Sequence, residues 1–228
     1  MIALDGPAAA GKTTVASELA RRIHAILFDT GVIYRALALV ALRDGIGQDD
    51  AVSLAREASA LDLRVKPASL QDGRLADVIV NGQDETWAIR TPDVDRSVSA
   101  VSAHPSVRAA LLEKQRAIGR QGRVVMVGRD IGTVVMPNAD LKVWLEASID
   151  ERARRRAIDL ERQGTPRPFN DVRVEMKRRD EIDAGRAASP MKPADDAVVI
   201  QTDGRSIDEV VEMIVALIHA RPGGGETS

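Results

Sequence analysis

Eight residues near the amino terminus, Gly6-Pro7-Ala8-Ala9-Ala10-Gly11-Lys12-Thr13, constrain the fold more than any other part of the chain. Two glycines spaced by four residues, then Lys and a hydroxyl residue, is the pattern of a phosphate-binding P-loop. Such a loop needs a strand before it and a helix after it. Ile2-Ala3-Leu4 is a short apolar run suited to a buried strand, and Val15, Leu19 and Ile23 recur every four residues on one helical face. These flanks argue against a chance glycine turn. Loop N–H groups and the helix N-terminus then point at one place and hold a polyphosphate there. Lys12 reaches its outer phosphates, and the Thr13 hydroxyl binds Mg²⁺.

Four further apolar runs read as buried strands: Ala25–Phe28, Val124–Val127, Leu141–Leu145 and Val198–Ile200. Helical patterns alternate with them, at 32–43, from Asp49 or Asp50 to about Leu61, after Thr91-Pro92, from Pro105 to about Ile118, at 150–162, from an Asn170 cap to about Arg186, and at 207–218. Five short apolar strands alternating with helices predict an α/β fold: a parallel five-stranded sheet of P-loop type with helices on both faces. One stretch breaks the pattern. Leu61-Asp62-Leu63-Arg64-Val65-Lys66 alternates apolar and charged residues, and Ala76–Val80 is followed by Asn81-Gly82, a hairpin turn. This predicts a small antiparallel insertion.

Composition removes several function classes. A formal net charge of −2 gives no strong field for nucleic acid or an anionic membrane, and five aromatic residues in 228 offer few stacking platforms. There is no Cys, so disulfides and thiolate metal sites are excluded. The longest aliphatic run, Ala36 to Leu42, is too short to span a bilayer, and no signal peptide fits before a P-loop strand that begins at Ile2. A cytoplasmic protein is expected, with no nucleic-acid or membrane partner.

Three more constellations follow core strands. Thr30 and Arg35, in Asp29-Thr30-Gly31-Val32-Ile33-Tyr34-Arg35, bracket a helix start and suit a second phosphate. Gly128-Arg129-Asp130-Ile131-Gly132 lies at a strand's carboxyl end, where ligands of open parallel sheets bind. Arg179, Asp183 and Arg186 are spaced by four and three and share a helix face that mixes fork donors with a carboxylate. Arg152, Arg155 and Arg156 cluster on the preceding helix, either as a solvated face or as a lid that closes positive charge over a moving phosphate.

With these residues in view, the chain resembles bacterial cytidylate kinases of the nucleoside monophosphate kinase family. The resemblance rests on the P-loop, Asp29–Arg35, Gly-Arg-Asp-Ile-Gly-Thr-Val-Val from Gly128, the Arg-Asp…Asp…Arg…Pro pattern at 179–190 and Ala194-Asp195-Asp196-Ala197, and it covers nearly the whole chain. It implies transfer of the ATP γ-phosphoryl group to CMP or dCMP with Mg²⁺, by a monomer. Gly6, Pro7, Ala8, Ala9, Ala10, Gly11, Lys12, Thr13 and Thr14 would bind ATP. Thr30, Arg35 and Arg129 would take the acceptor phosphate, and Ser99, Arg108 and Asp130 would read cytosine, whose exocyclic amine needs acceptors. Arg179, Asp183 and Arg186 would hold the sugar and clamp phosphates, with Arg152 and Arg156 in the lid. Lys12, Arg129, Arg179, Arg186, Arg152 and Arg156 would be the catalytic cations. Members often carry a carboxylate before Gly-Arg-Asp. Here Val127 stands there, which leaves the Mg²⁺ shell to Asp5 or to water.

The organisation this implies is a core at 1–29, 123–149 and 184–221. A nucleotide-binding region at 30–122 would carry the insert at about 61–100, a lid would span 150–183, and 222–228 would be a disordered tail. Another small-molecule P-loop kinase, a nucleotide-switched regulator and an RNA-binding module that kept the fold are the competing readings. The regulator is disfavoured by the lack of an Asn-Lys-x-Asp guanine-reading motif.

Overall fold

The computed structural model describes residues 1–74 and 76–220, and the glycine-rich tail expected to be disordered lies outside them. The chain divides into two compact units, one built from Met1–Asp29 together with the chain from Arg116 onward, the other from Thr30–Gln115.

The first unit is organised by strand β1 (Ile2–Asp5), buried throughout. It lies at the centre of a parallel sheet with β2 (Ile26–Asp29), β6 (Val124–Gly128), β7 (Leu141–Glu146) and β8 (Val198–Gln201), in the order β2-β6-β1-β7-β8. Helix α1 (Lys12–Arg22) lays Val15, Ala16, Leu19 and Ala20 on one face of this sheet. Helix α8 (Ile207–His219) adds Val210, Val211 and Ile214 to the same core. Its start is fixed by a capping box between Ser206 and Glu209. Because all five strands run the same way, Asp5, Asp29, Gly128 and Glu146 end at one edge of the sheet. That edge is where the loops carrying chemistry emerge.

Helices α6 (Ile149–Arg162) and α7 (Phe169–Ala184) belong to this unit and bury a small cluster of their own, Ala153, Leu160, Val172 and Met176, with Ala8 and Ala9 of the P-loop packed against it. Two expectations are corrected here. Asn170 is not the cap of α7: the helix starts at Phe169 behind Pro168, whose fixed φ suits a helix entry. The helix also stops at Ala184, before Gly185, so Arg186 lies beyond its end rather than on its face.

The second unit contains α2 (Gly31–Arg43), α3 (Ala51–Ala60), β3 (Leu63–Pro67), β4 (Ala76–Val80), β5 (Gln83–Asp84), α4 (Pro92–Ala103) and most of α5 (Pro105–Gly119). Asp50 caps α3 by accepting from the Ser53 N–H at 3.0 Å. Leu61 ends α3 instead of opening a strand, so β3 begins two residues later than its alternation predicts. The three short strands form the antiparallel sheet β3-β4-β5. Asn81 and Gly82 connect β4 to β5 with φ of 49° and 85°, the two positive values of a type I′ turn. Ile33, Leu37, Leu54, Val78, Val80, Ile89, Val98 and Leu111 share the core of this unit.

Candidate active site

The P-loop leaves β1 at Gly6, which has φ 147°; a Cβ there would stand 2.1 Å from the Leu145 carbonyl oxygen of the neighbouring strand. Only glycine lets the loop pass so close. Ala9 adopts a left-handed φ of 56°, a strained conformation that persists where surrounding structure over-determines it. Gly11 then hands the chain to α1. Residues Ala9 to Val15 line a cleft of about 430 Å³ with Arg155, Thr202 and Arg205 among its other walls.

Lys12 is the first residue of α1 and is buried. Its Nζ donates to the Pro7 carbonyl at 2.5 Å. Burial holds its ammonium well below the usual lysine range; Arg129 and Arg179 push the same way, against Asp29 and Asp5. A buried cation crowded by two more is a site that gains by receiving an anion.

Asp5 ends β1 and is tied to the backbone of the turn after β6. Its two oxygens accept from the Ile131 and Gly132 N–H groups at 2.9 and 2.8 Å. Burial raises its carboxyl to about 6, more than those bonds and Lys12 lower it. The bonds fix the turn after β6. Residues Ile131–Val135 form one π-helical turn, in which Val135 N–H and Met136 N–H reach five residues back to Asp130 and Ile131. Arg116 donates to the far end of this turn, to the Val134 and Val135 carbonyls. Such turns recur at functional sites, and this one orients Arg129 and the buried Asp130.

Arg129, Asp183 and Arg186 meet, as their types suggest. Arg129 Nε donates to Asp183 Oδ2 at 3.1 Å, and Arg186 donates to Oδ1. Burial alone would raise the Asp183 carboxyl, but Arg129, Arg186 and Arg179 outweigh it and hold it below the usual range. Asp183 therefore stays ionised and keeps two guanidiniums in place.

The lid arginines divide. Arg152 is buried and tied: it donates to the Ala147 carbonyl at 3.1 Å and the Ala8 carbonyl at 3.3 Å, and pairs with Asp180 of α7 at 2.7 Å. Here it braces the P-loop against α6 and α7. Arg155 braces β8 through Thr202. Arg156 is half-buried on the same helix.

In the second unit, Thr30 is buried at the start of α2. Arg35, one turn on, donates to the Ile89 carbonyl at 3.1 Å and pairs with Asp95 at 2.6 Å. Arg108 is buried on α5, donating to the Ser102 carbonyl at 3.2 Å with its guanidinium 5.1 Å from the Tyr34 ring centre. The Tyr34 hydroxyl accepts in turn from Gln115. Ser99 is half-buried on α4. Sequence reasoning passed over Asp29, Asp95, Asp180, Tyr34 and Gln115. A carboxylate closing an apolar strand, as Asp29 does, was the one signal available.

Thr13 and Asp29 are the hard oxygen donors at the outer end of the P-loop, 2.9 Å apart. A hydroxyl beside a carboxylate fits a divalent cation that keeps most of its shell as water and phosphate. Among the described residues there is no cluster of three or more His, Cys, Asp or Glu side chains. Nor is any helix among them long and apolar enough to cross a membrane.

Comparison with known proteins agrees with this geometry. The family model for cytidylate kinase matches residues 2–220. A cytidylate kinase of Roseiflexus castenholzii is 49% identical over 97% of this chain and 94% of its own length. One from a Geobacillus species is 45% identical over 97% of both chains. A bifunctional pantoate ligase/cytidylate kinase of Synechococcus is 46% identical over 98% of this chain and 46% of its own. Among solved structures, an uncharacterized protein from Eubacterium ventriosum shares the fold at TM-score 0.51 and 14% identity, over 96% of this chain and 98% of its own. The chain belongs to the cytidylate kinase family, whose members are nucleoside monophosphate kinases that transfer the ATP γ-phosphoryl group to CMP or dCMP.

Proposed function

We propose that this chain phosphorylates CMP or dCMP through the residues described above, with Mg²⁺ accompanying ATP. The observation that carries the reading is the P-loop at the carboxyl end of β1, where Gly6, left-handed Ala9 and Gly11 shape the loop and the buried Lys12 opens α1. An anion placed there meets the loop N–H groups and the positive end of the helix.

Gly6 to Thr14 cradle the ATP phosphates with backbone N–H groups and the positive end of α1. The cleft beside them takes the rest of the donor. An acceptor phosphate oxygen of CMP forms a bond to the γ-phosphorus as the bond to the β–γ bridging oxygen breaks, and ADP leaves. The acceptor is already an anion, so no strong base is needed, and catalysis is positioning and charge neutralisation. Lys12, Arg129, Arg179 and Arg186 supply protein charge to the moving group. The Thr13 hydroxyl would help hold a divalent cation with the nucleotide, and such a cation would supply further charge neutralisation. Thr30, Arg35 and Arg129 take the acceptor phosphate, and Arg179, Asp183 and Arg186 hold sugar and phosphate. The helix pair α6–α7 is the lid in this reading, with Arg152 and Arg156 adding positive charge to the phosphates from it and Arg152 also tied to the P-loop. We take the chain to act as a cytoplasmic monomer on small molecules; its net charge of −2 gives no strong field for a polyanionic partner.

Ser99, Arg108 and Asp130 read the base. Cytosine offers an amine at the position where uracil has a carbonyl, and an ionised Asp130 only accepts. Asn there can also donate. The expected result for Asp130→Asn is a larger fall in kcat/KM for CMP than for UMP, narrowing the ratio at least about tenfold, since a site built on a buried hydrogen bond discriminates strongly. An unchanged CMP:UMP ratio with both activities reduced would make Asp130 a positioning residue and reject the base-reading role.

A further inference from the structure

P-loop phosphotransfer sites that hold Mg²⁺ pair the loop hydroxyl with a carboxylate at the end of a neighbouring strand. β6, which borders β1, ends in Val127-Gly128 and supplies none. Asp5 already accepts one backbone N–H on each oxygen, from Ile131 and Gly132, which fixes its carboxylate on the turn after β6. We propose that Asp29, at the end of β2, is the carboxylate of the cation's shell.

The register carries the case. Asp29 pairs with Val127 in the parallel ladder, so the two stand at the same level on adjacent strands. Side chains of paired residues in a parallel sheet project to the same face. Val125 and Val127 project into the core formed with Val15 and Leu19 of α1, and Leu27, two residues before Asp29, packs against it. Asp29 therefore projects to the α1 face, one strand beyond the position that Val127 leaves apolar. There it receives the Thr13 hydroxyl proton at 2.9 Å. A hydroxyl has one donor and two acceptor lone pairs, so a proton fixed on Asp29 turns the lone pairs of Thr13 away from Asp29 and leaves them for a cation. The Asp29 charge also acts on the buried Lys12. Hydroxyl and carboxylate are the ligand types Mg²⁺ prefers, and one or two carboxylates with water and phosphates complete such a shell. The inference rests on the reading that this unit binds ATP with a divalent cation.

The test substitutes Asp29→Asn, which keeps an oxygen to accept from Thr13 and removes the charge. Mn²⁺ is titrated into the protein saturated with a non-hydrolysable ATP analogue, and free Mn²⁺ is followed by electron paramagnetic resonance. The expected result is an apparent Kd for Mn²⁺ raised about tenfold or more, the usual effect of losing a shell carboxylate, with analogue affinity in the absence of metal within about twofold of wild type. Asp29→Asn with Val127→Asp should recover Mn²⁺ affinity by returning a carboxylate from the adjacent strand. Wild-type Mn²⁺ affinity in Asp29→Asn would overturn the inference and leave water as the shell. So would an equal loss of analogue affinity without metal, which would make Asp29 a support for Thr13 alone. If wild type binds the analogue with no dependence on Mn²⁺, the underlying reading fails as well.

Discussion

Lys12→Met is expected to lower kcat by roughly 10³-fold or more, the scale on which a single cation acts at a transferring phosphoryl group, while leaving the melting temperature unchanged or higher. The reason lies in where Lys12 stands. It is not a mobile loop side chain but a buried first residue of α1, its ammonium destabilised by burial and by Arg129 and Arg179. Burial disfavours the charged form of a lysine, so an apolar side chain of similar length removes that desolvation cost. Asp29 and Asp5 offset part of that cost within the protein, and bound phosphates would offset more. The check is steady-state kinetics together with thermal unfolding. Turnover within about tenfold of wild type, at an unchanged melting temperature, would remove Lys12 from the transfer step.

The largest effect on stability is expected at Asp183. It is 2% exposed and accepts from both Arg129 and Arg186. Asp183→Ala leaves two largely buried guanidiniums without their shared carboxylate, a loss of about 3–5 kcal/mol for a broken buried pair. For a chain of this length that is a fall in melting temperature on the order of 10 °C. The sign with pH follows from the direction of its shift. The native Asp183 carboxyl is held below its unfolded value, so its contribution is fully present above the ordinary aspartate pKa and is lost as pH falls through the lower native value. Asp5 works the other way. Its native value of about 6 lies above the unfolded one, so its stabilising contribution is present at acid pH and is lost as pH rises through about 6. Unfolding temperatures of wild type and Asp183→Ala should therefore differ most near neutrality and converge in acid. A gap that widens as the pH falls through the acid range would contradict the pairing.

The core fold was legible because its signals are local. Glycine spacing, four-residue periodicity in α1 and short apolar runs specify strand, loop and helix without long-range information. The type I′ turn at Asn81-Gly82 is equally local. What the sequence hid depends on partners distant along the chain. Asp5 looks like a free carboxylate until the chain returns 126 residues later and brings two N–H groups to it. Arg152 looks like any lid arginine until Asp180 and the Ala8 carbonyl appear beside it. Asp29 gains its interest only from a sheet register that pairs it with Val127. Helix ends were misjudged by a residue or two where Pro168 and Gly185 decide them.

Acceptor choice separates cytidylate phosphorylation from the other P-loop kinase activities. ADP release should be measured with ATP and Mg²⁺ against CMP, dCMP, UMP, AMP and GMP. On the proposed base-reading role of Asp130, Ser99 and Arg108, kcat/KM for CMP or dCMP is expected to exceed that for UMP, AMP and GMP by roughly tenfold or more, as a hydrogen-bonding site requires. Equal rates across the five acceptors, or a preference for AMP or GMP, would contradict it.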